Sequence, residues 1–114
     1  MEYSEALKKY EELVAHFPAI QRKGKANPYT SLNGHMFSFL DKEARLSLRF
    51  SDEGQKEFME KHNAPLSIQY GSVMRGYAVV PLDLQKDIEA LKPYFAQSVA
   101  FISSLKPKPT TKKK

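Results

Sequence analysis

The sequence predicts an α+β fold: a two-layer α/β sandwich, in the order α-β-β-β-α-β-β-α, with helices on one face of an antiparallel sheet. Three observations predict it. Apolar residues recur at three- and four-residue spacing near both ends of the chain, as Tyr3, Leu7, Tyr10, Val14 and as Phe95, Val99, Ile102. Between them, Leu46, Leu48 and Phe50 alternate with Arg45, Ser47 and Arg49, the pattern of a strand with one covered and one wet face. Asn33-Gly34 separates two short apolar runs, and both residues tolerate the positive φ of a tight hairpin turn.

Each element follows in order. The first helix spans residues 3–16, with Glu2 and Glu5 at its positive end and Pro18 stopping it. The polar, basic stretch from Gln21 to Pro28 reads as a loop. Strand one lies around Tyr29 to Leu32, strand two runs from His35 to Leu40, and strand three from Arg45 to Phe50. Ser51 caps a second helix that reaches about His62, with Asp52 and Glu53 in its first turn. Asn63-Ala64-Pro65 ends it. Strand four is Leu66 to Tyr70, with Leu66, Ile68 and Tyr70 on one side. A turn between Gly71 and Gly76 follows, and strand five is Gly76 to Val80, stopped by Pro81. Pro93 divides the apolar pattern beyond it, which predicts a short helix over 83–91 and a main helix from Lys92 or Pro93 to Leu105.

At 114 residues, with 41% hydrophobic side chains, the chain holds one small domain over 1–105. Residues 106–114 are expected to form a disordered basic tail, because Pro-Lys-Pro-Thr-Thr buries no apolar surface. The tail contains Lys106, Lys108, Lys112, Lys113 and Lys114, which account for the whole net charge of +5. Tail lysines suit a weak, salt-sensitive nucleic-acid contact as well as simple solvation. The absence of cysteine excludes disulfides, thiol catalysis and thiolate zinc sites. No apolar run is long enough to span a membrane. Glu2, Ser4 and Glu5 lack the pattern of a signal peptide, so the cytoplasm is the expected location.

Four segments carry a family resemblance: Asn33-Gly34-His35-Met36-Phe37, Arg45-Leu46-Ser47-Leu48-Arg49, Met74-Arg75-Gly76-Tyr77-Ala78-Val79-Val80-Pro81 and Ala100-Phe101-Ile102-Ser103-Ser104-Leu105-Lys106-Pro107. In this order they resemble the TfoX N-terminal domain family over roughly residues 10 to 107, with the related YjbR-like domains as the rival assignment. The resemblance implies a small secretion-chaperone-like α/β domain. It also implies a regulatory role in bacterial competence or transcription, exercised through a protein partner. The family usually has Met-Phe-Gly-Gly in its first strand, where this chain has Ala26-Asn27-Pro28-Tyr29-Thr30-Ser31.

No residue pattern states a reaction. His16, His35 and His62 include no pair at i, i+4 spacing, and no metal or other cofactor is expected. The carboxylates fall mainly on exposed helical positions, and Gly-x-Ser-x-Gly is absent. The remaining candidate is a basic, aromatic surface for a protein partner, drawn from Arg22, Lys23, Lys25, Tyr29, Arg45, Arg49, Arg75 and Tyr77. The bland alternative is that Arg45 and Arg49 pair with carboxylates across the sheet. A second functional reading is a small-ligand-binding or enzymatic pocket near Tyr29, His35 and Arg75. A monomer and a homodimer formed by stacking two wet sheet faces are both compatible with the pattern.

Overall fold

A computed structural model describes residues 1–107. The amphipathic start forms α1 (Tyr3–Ala15), burying Ala6, Tyr10, Leu13 and Val14 on one stripe. Three strands follow, β1 (Tyr29–Leu32), β2 (His35–Leu40) and β3 (Leu46–Arg49), and then α2 (Asp52–His62). Ser51 caps α2 by accepting the Gly54 N–H (3.1 Å), and Asn63 ends it in the left-handed region. The chain continues through β4 (Leu66–Gln69), β5 (Ser72–Val79), α3 (Leu82–Lys86) and α4 (Ile88–Ser104). The five strands pair antiparallel in the order β1-β2-β3-β5-β4. This is the expected α+β sandwich with the expected element order. None of the described helices is long and apolar enough to cross a membrane.

The core lies between the sheet and the helix layer. Leu46 and Leu48 of β3, Phe50 and Ala78 meet Leu13 of α1 and Leu91, Phe95 and Ile102 of α4, all at most 1% exposed. Phe95 is its aromatic centre, with ring centroids 4.8 Å from Phe17 and 5.4 Å from Phe37. Phe58 of α2 stacks on Phe50 at 4.9 Å. Tyr10 reaches the sheet through a buried hydroxyl cluster, in which its Oη and the Ser38 Oγ are 2.6 Å apart and Ser38 also bonds Thr30.

A bulge in β2 distributes its side chains. Thr30 is opposite Ser38, but the next β1 residue, Ser31, is opposite Met36, so Phe37 is an extra residue. Phe37 and Ser38 both serve the helix side, as their contacts with Phe95 and Tyr10 show. Met36 and Phe39 are left to the opposite face.

Four expectations are corrected. The β4–β5 turn is not the stretch from Gly71 to Gly76 but the two residues Tyr70 (φ 52°) and Gly71 (φ 78°). β5 therefore begins at Ser72, and Gly76 (φ 86°) is an irregular position inside it. Secondly, the helix break falls at Asp87 rather than Pro93: the Asp87 carboxylate accepts the Ala90 N–H (3.2 Å) and starts α4 there. Pro93 then lies in the second turn, where it removes one helix hydrogen bond. Thirdly, the face of β3 expected to be wet is covered at its centre, while Arg45 and Arg49 on either side keep access to solvent. Ser47 is fully buried and its Oγ shares a 2.9 Å hydrogen bond with Ser67 Oγ, although β5 separates β3 from β4 in the sheet. The sheet thus curls and brings β4 over its own second face. Finally, Lys106 is fastened to the fold, because His35 Nε2 donates to its carbonyl oxygen (3.0 Å); residues 108–114 of the expected tail lie outside the described residues.

Phe95→Ala is expected to destabilise the fold by about 3–5 kcal/mol, the cost of a large aromatic lost from a closed core. Denaturant unfolding followed by circular dichroism measures this; a loss under about 1 kcal/mol would show that Phe95 is not the centre of the core.

Candidate functional site

The curl of the sheet leaves a groove of about 610 Å³ on the face away from the helices. Its floor is Met36 and Phe39 of β2. One wall comes from Pro28 and Tyr29 at β1, and the other from Ile68, Tyr70 and Met74 of the β4–β5 hairpin. The two terminal strands of the sheet therefore line the same concavity. This volume falls within the usual range for small-molecule sites, and the lining is mainly apolar.

Asp41 lines the groove beside Lys42, Glu43 and Arg45 and is only 8% exposed. Its Oδ1 accepts the backbone N–H groups of Glu43 and Arg45 (both 2.9 Å). Its Oδ2 accepts Arg45 Nε (2.9 Å) and Gln69 Nε2 (3.2 Å). Four donors occupy the carboxylate, so it acts as a clasp between the β2–β3 turn and β4 rather than as a free acid or base. Within the turn it clasps, Ala44 adopts a left-handed φ of 68°, and Gln85 of α3 donates to the Ala44 carbonyl.

Among the sequence candidates, Tyr29 and Arg45 line the groove, whereas His35 and Arg75 do not. The pocket expected around Tyr29, His35 and Arg75 is thus not assembled from those three. Tyr77 is a packing residue: it is 5% exposed, its ring lies 5.4 Å from Phe39, and its hydroxyl donates to the Met36 carbonyl (2.6 Å) beside the bulge.

The basic residues are distributed over three places. Arg22 pairs with Glu11 of α1 (3.0 Å) and donates to the Gly24 carbonyl (2.8 Å). Lys23 exchanges backbone hydrogen bonds with Tyr29 and its Nζ donates to Ser31 Oγ; Lys25 is exposed nearby. Arg45 is paired with Asp41 and Glu43 inside the β2–β3 turn, not across the sheet. Arg49 and the exposed Arg75 belong to β3 and β5; the Arg49 guanidinium lies 5.7 Å from the Phe101 ring centroid, with no carboxylate in salt-bridge range among the described residues. Of the histidines, His62 bonds Tyr94 Oη (2.8 Å), and partial burial there lowers its pKa, with Lys61 adding to the effect. No group of three potential metal ligands occurs among the described residues.

The groove escaped sequence reasoning because its floor depends on the bulge at Phe37 and its wall on the curl of β4. One signal was present: the uncharged run around Leu66, Ile68, Tyr70 and Met74. No protein-family model matches this sequence, and no curated protein or solved structure is significantly similar to it.

Two expected outcomes follow from these contacts. Asp41→Ala removes the acceptor for four donors and should cost about 1–3 kcal/mol, read as a lower denaturation midpoint. Burial raises the Tyr77 phenol to about 12 and the Tyr10 phenol further above its ordinary value near 10. Both pKa values are higher in the folded chain, so their contribution is complete below pH 10 and is lost as pH rises through about 12 for Tyr77. Stability above pH 10 should fall by about 1.4 kcal/mol per pH unit for each of these tyrosines, and Tyr77→Phe should remove one such share of the slope. Unfolding midpoints measured across alkaline pH check it; a slope unchanged in Tyr77→Phe would contradict it.

Proposed function

We propose that this chain is a non-catalytic interaction module that holds a segment of another protein in the groove of its curled sheet. The observation that carries this reading is the groove itself: a mainly apolar and aromatic lining, charged at Lys42, Glu43 and Arg45, whose one buried carboxylate is already fully engaged. Met36 and Met74 suit such a role, because unbranched thioether side chains adapt to different apolar surfaces. The resemblance to the TfoX N-terminal domain family supports a regulatory role of the same kind, in competence or transcription, in a bacterial cytoplasm. The lysines at the C-terminal end add a weak, salt-dependent contact with nucleic acid in this reading.

A second reading, a small-ligand-binding domain, is favoured by the groove volume. The two are separated by placing a photo-crosslinking amino acid at Met36 and, as a control, at Arg75, which lies outside the groove. Protein capture from Met36 that is absent from Arg75, and lost on Tyr70→Ala, is the expected result. Equal capture from both positions overturns the groove as the partner site. A library compound that raises the melting temperature of the native chain but not of Met36→Asp, with no protein captured, favours the small-ligand reading instead.

A further inference from the structure

The two edges of the sheet are finished differently. At the β1 edge, Lys23 and Tyr29 exchange both backbone hydrogen bonds (2.7 and 2.9 Å), and Arg22 and Lys25 flank the bridge. That edge is both covered and charged, two devices by which sheets avoid unwanted pairing. The β4 edge has neither. Among the described residues β4 pairs only with β5, and from His62 to Met74 the sequence contains no Asp, Glu, Lys or Arg. Leu66, Ile68 and Val73 are 43%, 53% and 56% exposed there.

The hydrogen-bond parity of β4 identifies the backbone groups that point outward. Val79 N–H donates to the Pro65 carbonyl (3.0 Å), so Pro65 and Val79 form a hydrogen-bonded pair. Antiparallel alternation then turns the N–H and C=O of Leu66 away from β5. At the other end, the two-residue turn makes Gln69 and Ser72 a hydrogen-bonded pair, which turns the groups of Ile68 outward as well. The free edge therefore displays the amide and carbonyl groups of Leu66 and Ile68, on either side of Ser67.

We propose that this edge pairs antiparallel with the same edge of a second copy of the chain, about a two-fold axis at Ser67. Leu66 of each copy exchanges both backbone hydrogen bonds with Ile68 of the other, which satisfies all four outward groups at once. The two sheets become one continuous sheet, and the exposed Leu66 and Ile68 side chains become cross-strand neighbours. A two-fold contact places each surface against itself, so any charge in it meets its own like. On a chain of net charge +5, the uncharged edge around β4 meets that condition, whereas the basic β1 edge does not. The proposal does not rest on what the groove binds, although Ile68 also lines the groove.

Sedimentation and light scattering of the full chain from micromolar to millimolar concentration test it. A monomer–dimer equilibrium is expected, and Leu66→Lys should weaken it by about tenfold or more while leaving the circular dichroism spectrum unchanged. Because the chain has no cysteine, single-cysteine variants report the register. A mixture of Leu66→Cys and Ile68→Cys should form an intermolecular disulfide on mild oxidation, much faster than either variant alone. A monomer throughout the concentration range overturns the proposal. So does a dimer indifferent to Leu66→Lys, or cross-linking of Leu66→Cys alone as fast as the mixture.

Discussion

The extra residue at Phe37 governs both faces of the sheet. In a regular strand, Phe37 and Phe39 would share one face and Met36 and Ser38 the other. The bulge breaks that parity, sending Phe37 to the Phe95 cluster and Ser38 to Tyr10, while Met36 and Phe39 turn to the opposite side. One strand thereby closes the core and floors the groove. The Tyr77 hydroxyl, bonded to the Met36 carbonyl, holds the backbone at the irregular step and completes the coupling between β2 and β5.

The curl that follows depends on polar contacts placed between strands that are not neighbours. Ser47 and Ser67 bond across β5, and Gln69 reaches Asp41 in the β2–β3 turn. Each hydrogen bond alone contributes about 1 kcal/mol net, but leaving its buried partner unsatisfied costs more. Their main effect is therefore geometric: they penalise a flat sheet, in which these groups would lose their partners. Gly76 permits the same bend from the other strand, since its φ of 86° is one that side chains rarely adopt.

The layers and the element order were legible in the sequence because they rest on periodicity and on standard turn chemistry. Asn33-Gly34 was recognisable as a turn because both residues commonly carry positive φ. Tyr70-Gly71 adopts the same conformation with a tyrosine, which rarely does, so the sequence predicts a longer turn than the one that forms. Alternation in β3 distinguished two faces, but no local pattern reports what a strand twenty residues later lays over the second one. Pro93 misled for a related reason: proline forbids one hydrogen bond, whereas the Asp87 side chain supplies a cap, and the cap decided where α4 begins. At the site, Tyr29 and Arg45 line the groove as expected, but the basic residues are scattered: Arg22 pairs with Glu11 of α1, Arg45 with Asp41 and Glu43 of its own turn, and Arg49 lies over Phe101 of α4. The groove is a product of long-range curvature, and composition alone carries only its uncharged wall.

Ile68 belongs to two surfaces, the wall of the groove and the free edge of β4. The two are therefore not energetically separate. A partner that shifts the β4–β5 hairpin would shift the edge presented to a second copy, and pairing at that edge would bear on the same hairpin that forms the groove wall. Thermodynamic linkage requires the effect to be reciprocal: if self-pairing tightens the hold on a partner, the partner strengthens self-pairing by the same factor. The hairpin is suited to such coupling because it is long, polar-clasped at Gln69 and apolar along its exposed side, so its position is set by a few contacts rather than by a packed core.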